Sequence, residues 1–458
     1  MADTSSTTKI NGVTTTASPV KGTTGDDTVF TTAGSIGGVP DLPKVYGLAG
    51  NDEFSGPGLL YGGPGHDLFF GYGVSDPKHA SHHYGGIGND AFIDREGSSV
   101  YHGGKGADLF QNYILTEYVN LTGPADTDEV YLGVGRDIAT ILNSWYSGPD
   151  GYFFAPRHLH VDGGPGIDLL NVFHYSYPLN DPLKAHLDFA SIAHGNNTIT
   201  MGGKWKTLTN FEQFVVEYGS PRLEHVTFGK YSDLFYWKGN TKKDQVITTH
   251  LGGGDDLLKT AGEATKNIVY GGKGSDLLIS TGGNSDTRRD KLIGGADDDL
   301  LFVGTNAVQH HLVDLIGGAG ADTFVLQRGY SQDIRVIDFD ATQDRLVVDA
   351  LHSMEWPILK GILTERQLIE DRLDIALANP LGGWKQVTEA DITRRENDKR
   401  IQIVIDHDQN HANGIDFELM YKHSTQVAKV RINQDDPFEV LARFQGTPDL
   451  HADDFLFL

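Results

Sequence analysis

The sequence predicts an all-β fold of the solenoid class, in which a short unit is stacked repeatedly on itself. Three observations predict it. A nine-residue pattern, GGxGxDxUx with U a large apolar residue, recurs along much of the 458-residue chain. Its aspartates return at intervals near two units. Glycine is abundant, at 57 residues, while hydrophobic residues make up only 38%, which suits a thin column of core side chains better than a packed globule.

The pattern is densest from Gly85 to Gln111, which reads GGIGNDAFI, DREGSSVYH, GGKGADLFQ. The middle unit keeps Gly97 but has lost the aspartate. Gly62–Phe70 (GGPGHDLFF), Gly163–Asn171 (GGPGIDLLN), Gly271–Ile279 (GGKGSDLLI), Gly294–Phe302 (GGADDDLLF) and Gly317–Val325 (GGAGADTFV) fit wholly or nearly. Each unit divides into a six-residue turn and a three-residue strand. The glycines allow backbone angles that a side chain forbids, so that carbonyls turn inward. The aspartate adds a carboxylate beside them. The result is a hard, all-oxygen environment that suits calcium rather than zinc or copper. The apolar residues expected to point into the core are Leu68, Phe92, Leu109, Leu169, Leu277, Leu300 and Phe324.

These repeats resemble the nonapeptides of the RTX (repeats-in-toxin) secreted proteins. The resemblance implies a calcium-binding parallel β-roll, with two units to a rung of about eighteen residues and calcium between turns stacked one rung apart. The spacing agrees: Gly85 to Gly103 is 18 residues, Asp256 to Asp276 is 20, and Asp276 to Asp299 and Asp299 to Asp322 are 23 each. The good turns then stack on one face. The other face holds degenerate turns such as Thr281–Asp286 and Gly304–His310, which leaves one calcium ladder per segment. The expected carboxylate ligands are Asp27, Asp52, Asp67, Asp90, Asp108, Asp168, Asp256, Asp276, Asp299 and Asp322. The expected carbonyl ligands include Gly62, Gly85, Gly103, Gly163, Gly271 and Gly317, for about ten Ca2+ ions in all. Asp137 (LGVGRD) and Asp256 (LGGGDD) have lost the first glycine, and Asp297 replaces the fourth-position glycine before Asp299.

The formal net charge is −25. That argues against nucleic acid or an anionic membrane as partner. About ten calcium ions would offset roughly +20 of it, so the carboxylates are expected to repel one another without calcium. There is no cysteine, hence no disulfide support and no thiol chemistry. No apolar run is long enough for a membrane span. Met1 to Val20 is Ser/Thr-rich without an apolar core, unlike a Sec signal peptide. The resemblance implies instead export by a type I secretion apparatus. The C-terminal DDFLFL, acids followed by an apolar tail, fits such a signal and equally fits a last strand.

Four segments are expected. Residues 1–20 read as disordered. Residues 21–250 read as a first solenoid, with aromatic and histidine-rich insertions at about 112–160 and 171–250. The first insertion carries Tyr113, Tyr118, Tyr131, Trp145 and Tyr152, flanked by His79, His82, His83, His102, His158 and His160. A loop packed on one solenoid face is its simpler account, and a sugar, second-metal or protein site the alternative. Ala185–Asn240 reads as continued solenoid without calcium turns, or with Asp233 as the relic of one. Residues 251–349 read as a second roll with closing strands, where Asp338, Asp340 and Asp344 bind a last ion or cap the open end. Residues 350–458 read as an α+β cap, with a helix over Glu365–Ala378 and strands at Ile401–Ile405, Phe417–Tyr421, Val427–Ile432 and Phe438–Phe444. Asp406–Asp416 begins like an EF-hand loop but lacks its glycine and its last glutamate.

Catalytic signatures are missing. There is no HExxH, no GxSxG and no phosphate-binding loop. The expected function is therefore a secreted, calcium-folded solenoid with a structural, adhesive or glycan-binding role at the cell surface or in the extracellular matrix. Its partner would be an extracellular polysaccharide or another surface component. The alternative is a polysaccharide lyase or uronate epimerase, with Tyr and His of the insertion as acid and base. A histidine-based zinc response is a third possibility.

Overall fold

The computed structural model describes residues 6–36, 39–73, 77–112, 127–144, 158–175, 186–190, 198–201, 204–219, 224–237, 245–260, 265–280, 289–304, 311–327, 332–349, 392–397, 400–405, 417–431, 437–446 and 450–457. These residues form strands and the turns between them, with two single-turn 3-10 helices at Pro77–His79 and Ala452–Asp454. The fold is all-β, built as a parallel β-solenoid. It divides into two compact units, Met1–Ser220 and Pro221–Leu458.

In the first unit two strand stacks run side by side. One contains Thr28–Thr32, Glu53–Ser55, Leu68–Tyr72, Ala91–Glu96, Leu109–Asn112, Ile138–Ser144, Leu169–Tyr175 and Gln213–Gly219, each parallel to the next. The other contains Val20–Lys21, Lys44–Tyr46, Leu59–Pro64, Ser81–Ile87, Ser99–Lys105, Thr127–Val134, His158–Asp162 and Lys204–Thr209. Each rung takes one strand from each stack, and the glycine turn joins them. Extra residues in a rung are inserted elsewhere, so the turns stay in register.

The core is built from the alternate, inward-facing residues of each strand. Val29, Phe54, Phe69, Phe92, Phe110, Ala139, Leu170 and Phe214 form a buried column in the first stack. Phe54 and Phe69 stack at 4.7 Å, and Phe69 and Phe92 at 5.0 Å. This corrects the expected core by one residue. Leu109 is 38% exposed while Phe110 is fully buried, and Leu68, Leu169 and Leu300 likewise precede the buried Phe69, Leu170 and Leu301. The turn aspartate itself faces inward, so alternation sends the next residue out and the one after it in. Phe92 and Phe324 lie inside as expected, and Leu277 and Leu278 are both buried.

Residues 1–20 were expected to be disordered, and the described part is not. Thr7–Ile10 pairs antiparallel with Val13–Thr15 and with Thr28–Thr32. The Asn11–Gly12 turn takes positive φ at both residues, 45° and 89°, the geometry a tight hairpin needs. A solenoid's first rung presents an open strand edge, and this hairpin covers it.

The second unit begins before residue 251. Leu234–Trp237 is parallel to Leu257–Thr260, and His225–Thr227 to Gln245–Gly253. The parallel stack continues through Leu277–Ser280, Leu300–Val303, Thr323–Gln327 and Arg345–Asp349. The cap is an antiparallel meander of Ile392–Asn397, Arg400–Ile405, Phe417–Lys422, Val427–Arg431 and Glu439–Phe444, close to the expected strands. The expected helix at Glu365–Ala378 and the loop Asp406–Asp416 lie outside the described residues, as do most of the aromatic insertion and Thr281–Asp286. The apolar tail Phe455–Phe457 is a strand parallel to Arg345–Asp349, with Phe455 buried. Among the described residues no helix is long and apolar enough to cross a membrane.

Candidate metal centre

In the turn Gly85–Asp90 the stacking is so tight that only glycine fits at two positions. Gly86 holds φ +117°, and a Cβ there would lie 2.5 Å from the carbonyl oxygen of Gly63 one rung earlier. Gly88, at φ +137°, would drive a Cβ into the Gly65 carbonyl.

The aspartates of successive turns form a continuous ladder. In the first unit the amides of Asp27, Asp52, Asp67 and Asp90 each donate, at 2.8 Å, to Oδ1 of the next aspartate, respectively Asp52, Asp67, Asp90 and Asp108. Asp108 N donates to Asp137 Oδ1 at 2.7 Å, Asp137 N to Asp168 Oδ1 at 2.8 Å, and Asp168 N to Glu212 Oε2 at 2.9 Å. The second unit has its own ladder through Asp233, Asp256, Asp276, Asp299, Asp322 and Asp344, with bonds of 2.6 to 3.0 Å. Partners are as few as 15 and as many as 44 residues apart in sequence. Asp233 thus keeps its place in the hydrogen-bonded ladder, with the buried Phe228 at the first position of its turn.

Each carboxylate spends one oxygen on this bond. The other oxygen, Oδ2, is buried without a hydrogen-bond partner in Asp52, Asp67, Asp90, Asp108, Asp137, Asp168 and Asp299. Except in Asp137, whose turn begins with Leu132, it faces the first glycine of its own turn. A Cβ on Gly62 would collide with Asp67 Oδ2 and lie 2.9 Å from the carbonyl oxygen of Gly85 on the next rung. Gly47 stands in the same relation to Asp52 and the Gly62 carbonyl, at 2.9 Å, and Gly271 to Asp276 and the Gly294 carbonyl, at 2.5 Å. Gly294 pairs with Asp299 and the Gly317 carbonyl, at 2.6 Å. Gly85, Gly103, Gly163 and Gly317 likewise face Asp90, Asp108, Asp168 and Asp322. The missing side chain at the first glycine thus leaves a small cradle lined by a carboxylate oxygen and a backbone carbonyl. Its donors fit a hard divalent cation such as calcium.

The electrostatics agree with that fit. Burial pushes Asp67, Asp108 and Asp168 up to about 7, opposed by the amide each accepts and reinforced by neighbouring carboxylates. Burial pushes Asp299 to about 8, and Asp52, Asp90 and Asp322 to about 6. Acids held this high are short of positive charge. Among the described residues no three His, Asp or Glu side chains converge on one point. Each cradle would offer one or two carboxylates and complete its shell with backbone carbonyls.

Some expected ligands differ. Asp27 lies at the head of the ladder and faces Gly22 and the Gly47 carbonyl as the other aspartates face theirs, but both of its oxygens are also engaged: Oδ1 accepts from Asn11 Nδ2 and Oδ2 from Thr23 N, both at 2.5 Å. At Asp256 the first turn position is Leu251, fully buried, and at Asp137 it is Leu132, 1% exposed. An apolar side chain fills those two cradles. Asp338 accepts from Gly317 N and Gly318 N at 2.9 and 3.0 Å, and Asp340 from Thr342 N at 2.9 Å. Both are caps rather than convergent ligands.

Three features lay beyond the sequence reading. Glu212 ends the first ladder; its signal was an acid directly before a strand, in NFEQF. A second ladder runs through the fifth turn position, where Asn51 Oδ1 accepts from His66 N, His66 Nδ1 from Asn89 N, and Asn89 Oδ1 from Ala107 N, at 2.8 to 3.0 Å. Inside the roll, away from the glycine turns, Asp94 accepts from the Tyr101 hydroxyl at 2.9 Å and from Asn112 Nδ2 at 3.1 Å. Asp290 accepts from Asn267 N at 2.7 Å and from Ser280 Oγ at 3.0 Å in the second unit. These are hydrogen-bonded polar plugs.

Among the described residues the histidines do not gather into a group that could hold a metal ion. His83 is fully buried against Phe69 and Tyr101, and burial lowers it to about 3. His102 belongs to a row of stacked rings, Tyr46, Tyr61, Tyr84, His102 and Tyr131, spaced 4.6 to 5.4 Å apart. That spacing is the strand spacing of an in-register parallel sheet.

No protein-family model matches the chain, and no curated protein is significantly similar to it in sequence. The candidate site therefore rests on its own residues and geometry.

Proposed function

We propose that this protein is a secreted calcium-binding solenoid whose folding is coupled to calcium, with a structural, adhesive or glycan-binding role outside the cell. The observation that carries the calcium part is the row of buried carboxylate oxygens facing glycine carbonyls across each cradle. Calcium would be held by Asp52, Asp67, Asp90, Asp108, Asp168, Asp276, Asp299 and Asp322, with the first-glycine carbonyls of adjacent rungs. The ion supplies the positive charge that the stacked acids lack. The chain itself supplies the scaffold: parallel strands set the rung spacing, and the ladder bonds fix one oxygen of each carboxylate so that the other is held ready.

The secretion and surface role rests on the likeness of the repeats to RTX nonapeptides and on the acidic, cysteine-free composition. A chain of this kind would stay open where calcium is scarce and close outside, where it is plentiful. The test is circular dichroism and thermal melting of the full chain across a calcium titration. The reading expects strand content and Tm to rise steeply with calcium and to fall on chelation. Identical melting in calcium and in chelator would overturn it.

A further inference from the structure

The end of the first ladder departs from the repeat in a specific way. Gly163 to Asp168 is a six-residue turn, whereas the next rung passes from Asn210 to Glu212 in three. The register nevertheless holds. Asp162 pairs with Thr209 and Leu169 with Gln213, so Asn210 stands at the first-glycine position and Glu212 at the aspartate position. Gly163 N donates to Thr209 O at 3.0 Å, as Gly47 N does to Tyr61 O at 2.7 Å. Glu212 Oε2 accepts from Asp168 N at 2.9 Å, the bond that every aspartate makes on the regular rungs. The turn is short and the acid is long: the extra methylene of glutamate restores the reach that the missing residues remove.

The cradle is kept as well. A Cβ on Gly163 would collide with the Asn210 carbonyl oxygen and lie 3.0 Å from Asp168 Oδ2. Asp168 is fully buried, and its Oδ2 has no hydrogen-bond partner. Asn210 holds φ +57°, a left-handed conformation that asparagine tolerates better than most residues. Its side-chain amide donates to Asp162 Oδ1 at 2.6 Å, which pins the turn with its carbonyl directed at the cradle. The nearby Arg136 guanidinium hydrogen-bonds the Gln213 amide oxygen, at 3.4 Å.

We propose that the first unit ends in a calcium site with its own donor set, in which the Asn210 carbonyl and the Glu212 carboxylate take the places of glycine and aspartate opposite Gly163 and Asp168. The inference rests on the calcium reading above and goes beyond the GGxGxD turns. It makes Asn-Phe-Glu the closing half of the Asp168 site.

Native mass spectrometry of the full chain in saturating calcium counts the ions. Glu212→Gln keeps an acceptor for the Asp168 amide but removes the charge. It is expected to carry one ion fewer than the wild type, with unchanged circular dichroism. Asp67→Asn is the control for a regular rung. If Asp67→Asn loses an ion and Glu212→Gln does not, the present inference fails while the calcium reading stands. If the wild type binds none, both fail. Should Glu212→Gln not fold, Glu212→Asp retains the charge with a shorter reach. Its last ion is then expected to need about tenfold more calcium, and an unchanged titration would overturn the proposal.

Discussion

The amide of Asp67 donates to Asp90 Oδ1 at 2.8 Å, and Asp90 Oδ2 on the same carboxylate is buried with no protein partner. A stack of such carboxylates has two opposite consequences. With a cation beside each free oxygen it is a source of stability. Without one it is a column of buried like charges.

Removing one charge from the column therefore has a sign that depends on calcium. Asp67→Asn preserves the Oδ1 acceptor for Asp52 N. In saturating calcium it is expected to lower stability by about 2.7 kcal/mol, the linkage of one site at a hundredfold excess of ligand. In chelator it is expected to raise Tm, because a buried charge next to Asp52 and Asp90 is gone. Calorimetry in both conditions checks the crossing. A variant less stable in both would mean that the aspartate is only a hydrogen-bond spacer.

The pH dependence of the calcium-free protein follows from the same acids. Burial raises Asp67 and Asp108 from 3.8 to about 7, and Asp299 to about 8. Between those limits the folded chain binds more protons than the unfolded one. Stability must then fall as pH rises from about 4 through 7 and level off above 8. His83 works against this trend on the acid side, since its folded value is lowered to about 3 and its unfolded form takes up a proton below about 6.5. His82 and His102, also lowered by burial, act in the same sense as His83. Denaturation midpoints in chelator at pH 5 and pH 8 decide the net sign, and the many acids are expected to outweigh the three histidines. Calcium is expected to reverse the slope by favouring the ionised carboxylates.

The cap carries a contrasting, calcium-independent contribution. Asp333 accepts from Arg443 Nε at 3.0 Å, pairs with Arg289, and lies 3.7 Å from Arg335. Burial alone would raise it, but these guanidinium groups hold it below the usual carboxylate range. Asp333→Ala is expected to cost about 1–3 kcal/mol equally in calcium and in chelator, as measured by urea denaturation. A calcium-dependent cost would place Asp333 in the metal-linked ladder instead.

Much of this was legible in the sequence, for a physical reason. Gly63, Gly86 and Gly104 are demanded by backbone geometry and Asp67, Asp90 and Asp108 by charge, so they recur and can be counted. The inward residue is Phe110 and not Leu109, because two adjacent apolar residues leave the strand phase open until the inward-facing Asp108 fixes it. Glu212 was illegible as a rung because the turn before it is shorter and the intervening chain runs 44 residues from Asp168. The hairpin at Thr7–Thr15 was hidden by composition. Serine and threonine suggest a mobile terminus, but an open strand edge beside them supplies the pairing that their own hydrophobicity does not.

Leu251 offers a gain-of-site test. It occupies the first position of the turn ending at Asp256, where Gly271 stands one rung later. At that glycine a Cβ would collide with Asp276 Oδ2 and lie 2.5 Å from the Gly294 carbonyl, so in the Asp256 turn the leucine stands where the cradle would be. Leu251→Gly removes a fully buried side chain and in chelator is expected to cost about 2–5 kcal/mol. In calcium part of that loss is expected to return, with one additional ion seen by native mass spectrometry. Leu251→Ala removes most of the same core contact but leaves a Cβ in the cradle. It is expected to show a comparable loss in chelator and no added ion. If the glycine variant gained no ion while folding normally, the first-glycine cradle would not be where calcium binds.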